Sequence, residues 1–257
     1  MDPATLIGLL LGFGAIFASM IMEGGDPMSL FLIPPIILVL GGTIGAAMAG
    51  GLMRDAKNLP KAFIKAIKAK PVIPHDNVAV IVALADRARR EGLLALEGEI
   101  SNVEDPFLRR ALEMAVDGTD ADEVAEILGA EVDAKRSADA AEAKIFHDMG
   151  GYAPTIGIIG TVIGLVHVLG SLEDTSTLGE KIAGAFVATL WGVMTANLLW
   201  FPLANRLKRV SESECEAMEL AIEGVLAIQA GSNPRLIAQK LQSMLPQLPP
   251  AAEKDVA

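Results

Sequence analysis

The sequence predicts an all-α polytopic membrane protein, with four transmembrane helices in two hairpins and a large helical cytoplasmic region. Three observations predict it. Hydrophobic residues make up 52% of the 257 and charged residues only 21%, at a mean hydropathy of +0.44. Aromatic residues are just 4%, so the excess is aliphatic, and it is gathered into long uncharged runs instead of being dispersed as in a soluble core. The basic residues fall almost wholly between and after those runs. The same composition excludes other classes. A single cysteine, Cys215, excludes a disulfide-built secreted module. A net charge of -11 argues against nucleic-acid binding, which needs clustered Lys and Arg at the phosphates.

The four runs without Asp, Glu, Lys or Arg are Pro3–Met22 and residues 28–53, 149–171 and 182–204. Crossing about 30 Å of hydrocarbon takes about 20 helical residues, so each is long enough or nearly so. The first is expected to be retained, because no basic residue precedes it and Met22-Glu23-Gly24 is a poor cleavage site. Residues 54–144 hold 14 of the 21 basic residues, residues 206–254 hold six, and Lys181 is the last. The positive-inside rule therefore places the middle region, the tail and, with four spans, the N-terminus in the cytoplasm. The expected division is 1–53 for the first hairpin, 54–148 for the cytoplasmic helical region, 149–204 for the second hairpin and 205–257 for a C-terminal helix and tail.

The cytoplasmic region has its own pattern. Residues 56–70 alternate Lys with Phe63, Ile64 and Ile67, an amphipathic helix suited to anionic headgroups, ended by Pro71 and Pro74. Residues 77–96 read as one helix with Val78, Ile81, Val82, Leu84 and Leu93 on its apolar side. Asp105-Pro106 opens a helix through Val116, and Gly118 with Thr119-x-x-Asp122 marks a turn and cap. Residues 124–146 are helical and are expected to run unbroken into the third span. After the fourth span, residues 207–228 read as an acidic amphipathic helix, and Pro234, Pro246, Pro249 and Pro250 break up the tail.

Polar content concentrates in the last two spans. Thr155, Thr161 and His167 lie on the third, Thr189, Thr195 and Asn197 on the fourth. Thr and Asn in hydrocarbon need a hydrogen-bonding partner: a backbone carbonyl one turn back, a neighbouring helix or a water-lined path. Pro154 and Pro202 each remove a backbone donor near the cytoplasmic edge of a span and form a candidate hinge pair. Gly160 and Gly164 have the spacing that allows close helix packing. Neither span holds an internal Asp or Glu, yet an ion path needs a charged oxygen at depth. An ion-conducting reading therefore requires a partner's carboxylate and rejects a self-sufficient transporter. Phosphate-loop, His-Glu-x-x-His and Gly-x-Ser-x-Gly motifs do not occur, and the three histidines are dispersed, so no catalytic, cofactor or metal site is expected. The charged cluster Arg87, Arg89, Arg90, Glu91, Glu97 and Glu99 reads either as a solvated face or as a docking surface for a charged partner; on one helix Arg90 and Glu97 would share a face.

Several motifs in order carry a family resemblance. They are Met1-Asp2-Pro3-Ala4-Thr5, Arg89-Arg90-Glu91-Gly92-Leu93-Leu94-Ala95-Leu96-Glu97, Gly151-Tyr152-Ala153-Pro154-Thr155-Ile156-Gly157-Ile158-Ile159-Gly160-Thr161, Ala188-Thr189-Leu190-Trp191-Gly192 with Phe201-Pro202, and Gly231-Ser232-Asn233-Pro234-Arg235. The chain resembles the flagellar motor stator A subunits, the MotA/PomA family, over essentially its whole length. The resemblance implies an inner-membrane ring of five around two copies of a MotB/PomB-like subunit bearing the essential aspartate. It implies that a translocated proton or sodium ion drives torque on the rotor switch protein FliG. By the same likeness Thr161, Thr189 and Thr155 belong to the ion path, Pro154 and Pro202 to the membrane hinge, and Arg89, Arg90 and Glu97 to the rotor interface. Gly160, Gly164, Ala188, Tyr152 and Trp191 would pack against the partner helix. Sodium-type relatives carry two adjacent threonines on the fourth span; here Ala188 precedes Thr189, which favours protons. The alternatives are an ExbB/TolQ-type energiser, which resembles a three-span layout, and a structural membrane scaffold.

Overall fold

The computed structural model describes residues 3–70, 72, 75–170 and 178–245, and among these every regular element is a helix. The order is α1 (Pro3–Met22), a 3₁₀ turn (Pro27–Leu30), α2 (Ile33–Ala49), α3 (Met53–Lys68), α4 (His75–Glu91), a 3₁₀ turn (Leu93–Leu96), α5 (Glu97–Ile100), α6 (Pro106–Val116), α7 (Ala121–Leu169), α8 (Leu178–Thr195), a π-helical turn (Ala196–Trp200), α9 (Phe201–Gln229) and α10 (Pro234–Met244). The chain divides into two compact units. One comprises Met1–Lys70 and Ala138–Val210, the other Pro71–Ser137 and Ser211–Ala257.

In the first unit, three helical stretches are long and apolar enough to cross a membrane: Thr5–Met22, Ala121–Leu169 and Leu178–Gln229, the latter two continuing into the second unit. Residues 28–53 do not form the single long helix expected. Pro34 and Pro35 fit only the first turn of a helix, residues 27–30 turn as 3₁₀, and Gly50-Gly51 ends the run, which leaves the 17-residue α2. At 1.5 Å per residue α2 is about 26 Å long, a little short of the hydrocarbon layer. The core of this unit gathers Phe146, Met149, Ala153, Trp200, Leu203 and Leu207 from the long helices. Against them α3 lays Ala62 and Ala66, with Phe63 ring-packed on Phe146 at 6.4 Å. Two polar contacts fix α3. The Lys65 ammonium donates to Asp139 at 2.6 Å, and the Arg206 guanidinium donates to the Ala66 and Ala69 carbonyls at 2.6 and 2.7 Å, closing the helix C-terminus.

In the second unit, Ile81, Leu96, Leu108, Leu112, Leu128 and Leu220 centre a core that α4, α6, the first part of α7, α9 and α10 share. Gly224 of α9 lets Ile81 approach, since a Cβ there would lie 2.7 Å from its Cγ2. Asp105 caps α6 as expected, accepting from the Phe107 and Leu108 amides. Three local expectations are corrected. Residues 77–96 are not one helix: α4 ends at Glu91 because Gly92 adopts φ 89°, a conformation only glycine takes at no cost, and a 3₁₀ turn comes next. The cap before α7 is Asp120, which accepts from the Asp122 amide at 2.9 Å, in place of Thr119. Pro234 starts a helix instead of breaking one, sitting in the first turn of α10 behind the Asn233 cap. Pro71, Pro74, Pro246, Pro249 and Pro250 lie outside the described residues. The expected continuity of residues 124–146 into the third span is found in the 49-residue α7.

Candidate functional site

The contact between α7 and α8 is made by residues with little or no side chain. A Cβ on Gly157 would stand 2.8 Å from the Ala188 carbonyl and 3.0 Å from the Thr189 Cα; on Gly164 it would stand 2.5 Å from the Ala185 Cβ. Gly160 abuts Ala188 and Leu38 in the same way, and a Cβ on Gly192 would stand 2.5 Å from the Ala153 carbonyl oxygen. Backbones approach this closely only through glycine and alanine, and the approach brings two hydroxyls together. Thr161 and Thr189 hydrogen-bond directly to each other. The Thr161 hydroxyl also lies 3.3 Å from the Gly157 carbonyl and 3.1 Å from that of Ala185, and Thr189 lies 3.2 Å from the Gly157 carbonyl. Four oxygens from two helices thus converge at one level. No acidic side chain stands on either span there.

Thr155 does not join this cluster: it is exposed, and its hydroxyl donates to the Tyr152 carbonyl at 2.8 Å. Thr195 and Asn197 likewise donate to carbonyls one turn back, at 2.7 and 2.8 Å. Trp191 anchors α8 to the start of the second hydrophobic run, its indole N–H donating to the Leu30 carbonyl at 2.7 Å. Tyr152 is exposed near Gly50. Gly160, Gly164, Ala188 and His167 border an apolar groove of about 620 Å³ shared with Leu38 and Ile163.

The two prolines occupy neighbouring ground. Pro154 lies inside α7, one turn beyond Gly150, and a Cβ on Gly150 would meet the Phe201 ring at 2.6 Å. Phe201 directly precedes Pro202. Before it, Ala196–Trp200 widens into a π turn, a known response where the i to i−4 ladder loses a donor, as it does at Pro202. Sequence reasoning misses this turn, and it also misses Gly157 and Gly192 as contact residues. Gly157 stands three residues before Gly160, on the same helix face, and that is the signal the sequence offers.

In the second unit the charged residues divide. Arg87 pairs with Glu91 at 3.3 Å and with Glu99, whose hydrogen bond raises the pKa of the guanidinium above its ordinary value. Arg90 pairs with Asp86, one turn back. Arg89 and Glu97 are exposed and have no ion-pair partner among the described residues. The helical spacing of Arg90 and Glu97 does not hold, because the break at Gly92 separates them. No cluster of His, Cys, Asp or Glu suited to a metal occurs among the described residues.

Long apolar helices packed through glycine and alanine, together with a second helical unit that carries surface charge, define a multi-span membrane protein with a large charged helical region. Residues 6–92 match the motility protein A N-terminal family and residues 99–220 match the MotA/TolQ/ExbB proton channel family. The chain is 40% identical to motility protein A of Bacillus subtilis over 247 residues, covering 96% of this chain and 92% of that one. It is 35% identical to the chemotaxis protein PomA of Vibrio alginolyticus over 256 residues, covering 99% and 100%. Its fold matches the structure of the flagellar MotAB stator complex from Bacillus subtilis with a TM-score of 0.88 at 40% identity, covering 95% and 96%. It matches the structure of C. jejuni MotAB with a TM-score of 0.92 at 29% identity, covering 97% and 98%. The chain belongs to the MotA/PomA family of flagellar motor stator subunits. It is a multi-pass inner-membrane protein that couples ion flow to motor rotation. The match at residues 6–92 is to a motility protein family, and the relatives named above are motility and chemotaxis proteins, which favours the stator reading over an ExbB/TolQ-type energiser.

Proposed function

We propose that five copies of this chain surround two copies of a MotB/PomB-like subunit, and that the partner's aspartate accepts the coupling ion beside Thr161 and Thr189. The observation that carries this is the four-oxygen cluster between α7 and α8 with no carboxylate of its own. A charged aspartate is costly against such a surface, and binding a proton neutralises it, so burial there becomes cheaper. Release toward the cytoplasm recharges it and shifts the packing. The likeness to two MotAB complexes supports pairing with a B subunit. Residues 1–53 and 149–204 form the two membrane hairpins, residues 54–148 and 205–257 are cytoplasmic, and both termini face the cytoplasm. In this reading α2 is the fourth span. Pro154 and Pro202 flex at the membrane edge, and Thr155 stands on the ion's route near the same edge. Gly160, Gly164 and Ala188 draw α7 and α8 together, and Tyr152 and Trp191 flank the surface on which the partner helix packs. Arg89, Arg90 and Glu97 meet FliG, with Arg89 and Glu97 free to do so directly. The coupling ion is the proton.

Native mass spectrometry of the complex, co-expressed with the single-span subunit, tests the assembly. A mass of five copies with two partners is expected; a stable oligomer that excludes the partner would overturn it. Proteoliposomes under a proton or a sodium gradient then separate the two ions.

A further inference from the structure

The α3 helix carries a feature that torque generation does not use. Its buried face is Ala62 and Ala66, and its opposite face is exposed. At 100° per residue, that outer face runs from Met53 and Ile64 through Lys57, Lys68 and Lys61 to Arg54, an arc of about 100°. Met53 and Ile64 are 67% and 52% exposed, beside Leu52 at 65%, and a purely solvated face would not present three large apolar side chains. Lys57, Lys61 and Lys68 have no hydrogen bond or ion pair among the described residues. The only acidic residue on α3, Asp55, is turned to the helix start, where it accepts from the Leu52 amide at 3.2 Å. Among the described residues, Lys65 alone of the helix's lysines is engaged, with Asp139.

Placement adds to chemistry. Only Gly50, Gly51 and Leu52 separate α3 from the end of the apolar α2, so α3 starts where a hydrophobic span stops. Its far end is held by Arg206 on the helix that continues from the other hairpin. Both ends are therefore tied to elements that continue from apolar runs, the placement expected of a helix lying at a membrane edge.

We propose that this face of α3 is a binding surface for anionic phospholipid, with Leu52, Met53 and Ile64 entering the acyl boundary and Lys57, Lys61 and Lys68 meeting the phosphates. Long lysine stems suit this, since their methylenes stay in the apolar zone while the ammonium reaches outward. Each such lysine near an anionic surface enriches the lipid by about fivefold at low ionic strength.

The test uses the full chain in complex with its partner subunit, in nanodiscs. A fluorophore is attached through Ile64→Cys; the native Cys215 is buried and will not compete. Quenching by brominated phosphatidylglycerol is compared with quenching by brominated phosphatidylcholine at equal mole fraction. The expected result is a phosphatidylglycerol preference of about fivefold or more that falls with added salt. Replacing Lys57, Lys61 and Lys68 together by Gln should bring the ratio to about one, while replacing all three by Arg should keep it. Quenching by neither lipid would mean another protein surface covers this face, and would overturn the proposal. So would equal quenching by both lipids, or a preference unaffected by the Gln changes. Should the Gln variant fail to assemble, the salt titration of the parent complex decides: a salt-independent ratio overturns the proposal.

Discussion

Replacing Gly157 by Ala tests whether the hydroxyl pair depends on the glycine contact. The new Cβ would lie 2.8 Å from the Ala188 carbonyl and 3.0 Å from the Thr189 Cα, both backbone atoms that no rotamer change can move. Restoring ordinary contact at about 3.4 Å requires α7 and α8 to part by about 0.6 Å. The Thr189 bond to the Gly157 carbonyl, now 3.2 Å, would then stretch to about 3.8 Å and be lost. Overpacking costs about 1–3 kcal/mol, and a hydrogen bond within a membrane bundle adds about 0.6 kcal/mol. Alanine's helix propensity returns up to about 1 kcal/mol, leaving a net loss of about 1–3 kcal/mol. At about 2–4 °C per kcal/mol, the melting temperature of the purified complex should fall by several degrees. Gly151→Ala is the control, since nothing stands within 4 Å of its added methyl. Proton influx into proteoliposomes should fall in the first variant and persist in the second. If Gly157→Ala melts with the control and conducts equally, the two helices separate at no cost and the reasoning fails.

The charged groups give two further outcomes. Arg89→Glu or Glu97→Lys should abolish or sharply reduce swimming at unchanged membrane abundance, whereas Arg90→Ala should act more weakly, because that residue already pairs with Asp86 and an exposed pair is worth under about 1 kcal/mol; motility plates with immunoblots check both. Lys65→Met removes the ammonium 2.6 Å from Asp139, whose side chain is only 10% exposed, and should cost about 1–3 kcal/mol, less than a fully buried pair because Lys65 itself is 29% exposed. Limited proteolysis should then cut α3 sooner than in the parent.

Much of this architecture is legible in the uncharged runs, because lipid leaves helix as the only economical way to satisfy the backbone. Where expectation and structure part, a local signal overrides the periodic one. Gly92 sits in a stretch whose apolar period continues through Leu93 and Leu94, so periodicity alone carries the helix past its end. Pro34 and Pro35 are uncharged and therefore count toward a span, although they belong only to a first turn. Pro234 reads as a breaker by residue type, yet Asn233 before it makes it a helix start. Contacts between elements are legible only in part. The resemblance puts Thr161 and Thr189 on one path, but the spacing of Gly157 and Gly160 marks only a helix face and does not say that Gly157 sets the two hydroxyls in contact. The ties Lys65 to Asp139 and Arg206 to Ala66 join residues 74 and 140 positions apart, where sequence spacing carries no information.

The hydroxyl pair also bears on the choice of ion. Two hydroxyls have two protons to donate, and four oxygens stand within reach of one another. With each hydroxyl proton directed to a carbonyl or to its neighbour, lone pairs are all that remain for an incoming group, so the site accepts and does not donate. A protonated carboxylic acid is a donor and fits such a surface; a carboxylate is an acceptor and is repelled by it. The same surface offers a sodium ion one oxygen fewer than a hydroxyl at position 188 would add, since Ala188 contributes a methyl there, and that methyl is buried against Gly160. In the proposed site, the packing that brings the helices together and the preference for a neutralised aspartate share one residue. An Ala188→Thr exchange would add an oxygen only by forcing apart the contact that aligns the other two.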